Sequence, residues 1–564
     1  MTPVRVHRTE EEMANIIPEE GEDDTSDEDN NVDRGAVDEL PLATYVDELR
    51  TQALEAARAA VDQRVQGDGP SERGTSEIAL GRSASSSALL GHTRNNSMAS
   101  SSAATMAAVA AAATARKRFS VKRPAIMKKK TDSWTSVVTR YHKFVNKQKL
   151  EDPRELDPGS WYFNLQMVPL EMRTSLVSFM FRTMGADSKF SVPADRLVAF
   201  VERVEAGMTM HHNPYHNYDH ACDVLQGTFC MLTSMRGCEF LDDLHAFALT
   251  IAAFCHDLEH PGLNNAFQVK AKTELAMLYE GRSVLESHHC ACTFSMFESN
   301  TTNILCNLDE ASVTRVRQIV LDCILATDMT CHFDLTGELR DCIVRHMDEP
   351  TSSMNIEERS LIAKSILHCS DISNPTRSWA CSKRWQDLVC EEFYAQGDLE
   401  RANGWEVSPN MDRDTTSQAE MSINFIDFIV APLFFAMSTL LPNSSDPCIQ
   451  IATNRDNWMR LLEDEVYTRE GLNDEAREEI MKDWAVREAT FEQVLASAGF
   501  AIGKDGKVRT DSDPSSDHGT ISHRKGSNAA VAFMDATDVA AIQRNAARSI
   551  SASVDRPDSP QPSL

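Results

Sequence analysis

Apolar positions recur at helical spacing through the middle of the chain and rarely at its two ends. DRLVAFVERV (195–204) places Leu197, Val201 and Val204 on one face of a helix. LHAFALTIAAFC (244–255) does the same with Phe247, Ile251 and Phe254, inside a nearly continuous apolar run. The spacing predicts further helices over ASVTRVRQIVLDCILATD (311–328), EERSLIAKSILHCS (357–370) and AREEIMKDWAVREATFEQVLASAG (476–499). Alternating runs bounded by hairpin turn signals are scarce. The predicted fold class is all-α, with roughly a dozen or more helices at ordinary helix lengths.

The ends read differently. Residues 10–39 hold 14 acids and one base, Arg34, a composition that stays solvated. ATYVDELRTQALEAARAAVDQRV (43–65) carries Val46, Leu49, Ala53, Ala57, Val61 and Val65 at the spacing of an amphipathic helix. Residues 66–115 are rich in Ser, Gly and Ala, as flexible linkers are. RKRFSVKRPAIMKKK (116–130) has eight bases and no acid, the chemistry that calmodulin, an acidic membrane surface or an acidic protein face would take. Pro124 interrupts it as a continuous helix. Ser97 in RNNS, Ser120 in RKRFS and Ser527 in RKGS follow bases, as sites of basophilic kinases do. The expected organisation is a mostly disordered regulatory or linker region over 1–131, an all-α domain over 132–502 and a disordered tail over 503–564.

Charge narrows the classes. The chain of 564 residues has 56 bases against 85 acids, a net charge of −29. Nucleic-acid affinity draws on clustered Lys and Arg, so that balance argues against a nucleic-acid binder. Residues 1–131 hold 17 bases and 21 acids, and residues 503–564 hold eight of each, which leaves −25 for 132–502. A core of that sign repels anions at long range, so any anionic ligand would need a positive group at its site. The opening MTPVRVHRTEEEMANIIPEE has no apolar h-region, and no secretory signal is expected. The nearest approach to a membrane span, FIDFIVAPLFFAMSTLL (425–441), carries Asp427 and Pro432, so none is expected. The 14 cysteines form no CxxC pair, and free thiols in a reducing, cytoplasmic compartment are the expectation.

Histidines carry the chemistry. His211, His212, His216 and His220 fall in HHNPYHNYDHACDVLQ, and His256 and His260 follow in FCHDLEHPGLNN with Asp257 between them. On a helix, His216 with His220 and His256 with His260 would each share a face, while Asp257 would be turned by about 100°. A further HCSD (368–371) supplies Asp371. Imidazoles mixed with carboxylates suit a divalent transition metal such as zinc, and carboxylates with water suit magnesium or manganese. Charge placed within apolar helices costs energy unless a metal or partner compensates it.

Taken in order, YHNYDHACDV, HDLEHPGLNN, RSVLESHH, LATDM and HCSDISNPTRSW resemble the motifs of class I cyclic-nucleotide phosphodiesterases, over most of 135–500. That family is all-α and metal-dependent, within the wider HD phosphohydrolases. The resemblance implies that His220, His256, Asp257 and Asp371 hold a tight metal, usually zinc, and that Asp257 bridges to a second ion, usually magnesium or manganese. It implies that Glu286 holds the waters of that second ion and that His260 lies beside the bridging solvent. Hydroxide generated between two metals would attack phosphorus, and His216 would protonate the leaving 3′-oxygen. His216 as a group that only orients Asp or solvent is the plainer alternative.

The implied base pocket holds Tyr215, Met329, Asn374 and the aromatic clamp Phe425. Asn374 matches a position that contacts adenine in several cAMP-selective members. The family's purine-binding Gln, three residues before the clamp, is here Ser422. Gln418 lies one turn earlier on the same helical face as 422 and 425, and either it or a water on Ser422 could reach the base. Otherwise selectivity relaxes, at a cost of about 1–3 kcal/mol of binding. The expected activity is hydrolysis of 3′,5′-cyclic nucleotides, cAMP favoured and cGMP possible, to 5′-monophosphates, ending a cyclic-nucleotide signal. The alternatives are a non-hydrolysing cyclic-nucleotide-binding regulatory protein and another HD-type nucleotide phosphohydrolase.

Overall fold

A computed structural model describes residues 133–346, 354–469, 471–502 and 508–510. The helix expected over 43–65, the basic segment 116–130 and Ser97, Ser120 and Ser527 lie outside the described residues. What is described is helical almost throughout, and the helix starts follow from their caps. Ser133 caps α1 (Trp134–Val145) by accepting the Ser136 N–H. α2 (Leu170–Thr183) and α3 (Ala194–Thr209) each follow a proline, Pro169 and Pro193, whose ring fixes φ near the helix entrance. Asn217 opens α4 (Tyr218–Leu232) and Asp242 opens α5 (Asp243–Cys255), the latter accepting the His245 N–H at 2.9 Å.

Two short helices, α6 (Asn265–Ala271) and α7 (Glu274–Leu278), lead into α8 (Val284–Phe297). α9 (Glu310–Leu325), α10 (His332–His346) and α11 (Ile356–Asp371) follow, the last opened by a capping box between Asn355 and Glu358. The chain ends its helical part with α12 (Trp379–Ala402), α13 (Gln418–Phe425), α14 (Ala431–Leu440), α15 (Ser445–Thr468) and α16 (Asp474–Ser497).

α5 is the axis of the core. Every residue from His245 to Cys255 is buried, and the helix packs on α4, α9 and α11. A helix covered on all sides has no polar stripe, which explains its nearly unbroken apolar run. All 14 cysteines are free thiols, and most are buried.

Between α13 and α14 the helix widens into a π-turn over Ile426–Val430. Pro432 has no N–H to give to a regular turn, and the wider turn accommodates the break. The run Gln418–Leu440 is long and apolar enough to cross a membrane by length and composition. Here it packs as a core helix: Ile423, Ile426, Val430 and Leu433 are fully buried. Its Asp427 pairs with Arg455 Nε at 2.6 Å and Arg487 Nη2 at 2.9 Å, which ties the π-turn to α15 and α16.

The chain does not leave the domain at 502, where the sequence predicts the tail to begin. Val508–Thr510 pairs antiparallel with Phe500–Ile502, with Ala501 opposite Arg509. Strands of three residues are too short for periodicity to reveal.

Candidate active site

Helix ends deliver the central side chains. His220 sits in the first turn of α4, His256 caps the C-terminal end of α5, Asp257 follows it, and Asp371 is the last residue of α11. Their donor atoms converge. His256 Nε2 lies 3.0 Å from Asp257 Oδ2 and 3.2 Å from Asp371 Oδ1. His220 Nε2 lies 3.3 Å and 3.2 Å from the same two oxygens and 3.2 Å from His256 Nε2.

This donor set fits a divalent ion. Ligands about 2.0–2.2 Å from one tetrahedral ion stand about 3.3–3.6 Å apart, close to the spacings found. His256 Nδ1 donates to the Ala253 carbonyl at 3.0 Å, which fixes the ring with Nε2 turned to the cluster. Asp257 and Asp371 stand at the C-terminal ends of two helices, where backbone carbonyls already concentrate negative charge. Burial alone would raise both carboxyls, but the His256 and His220 rings outweigh it and hold them well below the usual range. Burial likewise opposes charge on His256, and Asp257 and Asp371 override it. A cation at this point relieves all three.

Two groups face Asp257 from the other side. His289 donates through Nδ1 to the Leu258 carbonyl at 2.8 Å. Its buried Nε2 has no hydrogen-bond partner and lies 3.7 Å from Asp257 Oδ1. Burial pushes this imidazole down to about 3, so it is neutral and its Nε2 carries a lone pair. One turn earlier on α8, both oxygens of Glu286 accept from Asn265 Nδ2, at 3.1 and 3.0 Å. Burial and the Asp328 charge raise Glu286 to about 7.

His216 does not share a helix with His220, because α4 starts only at Tyr218. Likewise His260 lies beyond the end of α5, after Glu259 in the left-handed region at φ 66°. The turns, not i, i+4 spacing on a helix, bring these histidines in. The two rings stack with centroids 3.9 Å apart, and Asn213 Nδ2 donates to the carbonyls of both residues, at 2.9 and 2.7 Å. His216 Nδ1 meets Glu392 Oε1 at 2.5 Å, while its Nε2 is 3.9 Å from Asp257 Oδ2. Burial would lower His216, but Glu392, aided by Asp257 and Asp371, raises it to about 9. His260 is held well below its usual value, by burial first and then by the His216 charge.

The residues expected around the base divide into two groups. Tyr215 packs its ring on His216 and His220, each at 4.7 Å, and Asn374 Nδ2 donates to its hydroxyl at 2.6 Å. Met329 is 43% exposed at the start of a short 3-10 turn. Gln418 is committed elsewhere: its amide nitrogen donates to Asp387 at 2.8 Å and its oxygen accepts from Lys383 at 3.3 Å, both on α12. Ser422 is buried, and its hydroxyl donates to the Gln418 carbonyl at 2.7 Å. Phe425 is half-buried at the end of α13.

Residues 215–451 match the family described as 3′5′-cyclic nucleotide phosphodiesterase. The crystal structure of the phosphodiesterase domain of a RhoPDE fusion protein from the choanoflagellate Salpingoeca rosetta aligns at 30% identity with a TM-score of 0.52. That alignment covers 55% of this chain and 96% of the other. The chain belongs to the 3′,5′-cyclic-nucleotide phosphodiesterase family.

Other phosphodiesterases agree. The 3′,5′-cyclic-nucleotide phosphodiesterase regA of Dictyostelium discoideum is 36% identical over 313 residues, 55% of this chain and 39% of that protein. The dual specificity calcium/calmodulin-dependent 3′,5′-cyclic nucleotide phosphodiesterase 1B of Cricetulus griseus is 37% identical over 260 residues, 46% of this chain and 47% of that protein. The chain thus spans less than half the length of these two relatives. The matched phosphodiesterase region begins at Tyr215 and holds all four converging donors.

Sequence reasoning did not single out Glu392 or His289. Glu392 carries no motif and stands 176 residues from His216. His289 was within reach: it follows Glu286 by three residues, hence on the same face of α8.

Proposed function

We propose that this protein hydrolyses 3′,5′-cyclic nucleotides to 5′-monophosphates, with cAMP its foremost substrate. The observation that carries this reading is the convergence of His220, His256, Asp257 and Asp371 with the His216–Glu392 pair turned toward them. His220, His256, Asp257 and Asp371 would hold the tight ion, for which zinc is the best match, and Asp257 would share a second, magnesium or manganese. Bound divalent ions supply an acidified water and positive charge against the phosphoryl oxygens. His216, kept protonated by Glu392, donates its Nε2 proton to the departing 3′-oxygen. His289 and Glu286 orient water beside Asp257.

The lean to cAMP rests on Asn374. Its amide nitrogen is given to Tyr215, which leaves Oδ1 to accept from an amine such as that of adenine, whereas guanine presents a carbonyl there. With Ser422 and Gln418 both bonded within the protein, affinity for the base depends largely on stacking against Phe425. For 116–130 we propose an acidic partner of the calmodulin type, supported by its eight bases and by similarity to a relative named calcium/calmodulin-dependent. Kinases acting at Ser97, Ser120 or Ser527, and a cytoplasmic location, belong to the same proposal.

The test is turnover. Purified full chain with magnesium should convert cAMP, and more slowly cGMP, to the 5′-monophosphate. His216→Ala should abolish conversion with zinc content retained. Folded, metal-loaded protein that binds cAMP without converting it would instead be a regulatory binder. Added calcium and calmodulin should change the rate, and deletion of 116–130 should remove that response.

A further inference from the structure

We propose that Glu259, His288 and Cys292 supply three ligands of a separate site for a zinc-type divalent ion, distinct from the His220 cluster. All three side chains are buried, and their donor atoms lie within 4.8 Å of one another. His288 and Cys292 are one turn apart on α8, with Nε2 3.4 Å from Sγ. Glu259 arrives from the turn after α5, with Oε2 3.5 Å from the same Nε2. An N–H···O bond is about 2.7–3.2 Å long. Sulfur, nitrogen and oxygen ligands of one tetrahedral zinc stand about 3.3–3.6 Å apart. The His288–Glu259 spacing is longer than an N–H···O bond and matches two ligands of one ion, and the Cys292–His288 spacing suits both a sulfur hydrogen bond and a shared ion.

The surroundings are built to hold the carboxylate in place. Arg203 Nη2 donates to Glu259 Oε1 at 2.8 Å, and Oε2 faces His288. Glu259 keeps the left-handed conformation, costly for a residue with a Cβ, at φ 66°. Gly207 on α3 lets the turn before Glu259 pack close: a Cβ there would stand 2.6 Å from Leu258 Cδ1. Binding releases the Cys292 thiol proton to solvent, and the thiolate, carboxylate, dication and Arg203 then leave a net charge of one. Sulfur selects a borderline-soft ion such as zinc or cobalt over magnesium. Such an ion pins the turn that carries Asp257 and His260 to the helix that carries Glu286 and His289.

Full chain stripped by chelator and reloaded with Co²⁺ should show a near-ultraviolet sulfur-to-cobalt charge-transfer band, since the His220 cluster holds no sulfur. Cys292→Ser should abolish that band and keep the visible bands of the nitrogen and oxygen cluster. No band in the wild type, or a band that persists in Cys292→Ser, overturns the proposal. Should Cys292→Ser not fold, wild-type crystals grown with zinc decide at the zinc absorption edge. An anomalous peak between Cys292 Sγ, His288 Nε2 and Glu259 Oε2 supports the site, and its absence overturns it.

Discussion

Glu392 holds His216 by ring and backbone: Oε1 meets Nδ1 at 2.5 Å, and Oε2 accepts the backbone N–H of His216 and of Tyr215 before it, each at 3.0 Å. The carboxylate therefore sets the ring's position as well as its charge. Burial opposes that charge, yet the His216 pairing holds Glu392 down at about 2, so it stays ionised at any working pH.

Glu392→Gln keeps the shape and removes the charge. It should lower kcat by about 10- to 100-fold, as loss of a partner that orients a reacting group does, with KM and zinc content nearly unchanged. Steady-state kinetics beside metal analysis checks this. A purely architectural role would instead lower the unfolding midpoint and leave kcat intact.

Ser422→Gln restores an amide where the base is expected to lie. It should strengthen binding of purine cyclic nucleotides by about 1–3 kcal/mol, read as a lower KM for cAMP. Gln418→Ala should leave the ratio of cAMP to cGMP turnover as it is, because that amide already serves Asp387 and Lys383. A selective rise in KM for one nucleotide in Gln418→Ala would place Gln418 at the base after all.

Arg455 pairs with Glu488 as well as Asp427, so Asp427→Ala leaves a buried guanidinium with one half-exposed partner and should cost about 3–5 kcal/mol of stability. The Arg455 side chain is only 1% exposed. Denaturant unfolding measures the loss. A change below about 1 kcal/mol, the value of an exposed pair, would show that Glu488 alone suffices for Arg455.

Asp242 makes stability depend on acid. Burial would raise its carboxyl, but bonds from the His245 N–H and from Arg315 bring it down to about 2. A group lowered on folding stabilises above its unfolded value, about 3.9, and loses that contribution as pH falls through its folded value. The side chain is 46% exposed, so solvent screening reduces the effect to about 1 kcal/mol. Between pH 4 and pH 2, Asp242→Asn should lose less stability than the wild type by that amount in urea unfolding. Equal slopes would refute it.

How much was legible varied with locality. α5 could be read from its apolar run and α11 from its periodicity, because those signals sit within a few residues. The HxxxH spacings misled: His256 ends a helix and His216 precedes one, so i, i+4 geometry never applies. Glu392 was invisible because its meaning comes only from a partner 176 residues away. The fate of Gln418 turned on Lys383 and Asp387, two charges on another helix that no window around 418 contains.

His220, His256 and Asp371 hang on the ends of three long buried helices, and that arrangement makes the centre a vernier. Sliding α5 along α11 by one residue moves its tip about 1.5 Å, half the separation of the donor atoms. Such a slip could keep an equally oily contact and still scatter the ligands. Substitutions deep in the α5–α11 seam, far from any histidine, should therefore trade metal affinity before they trade the fold.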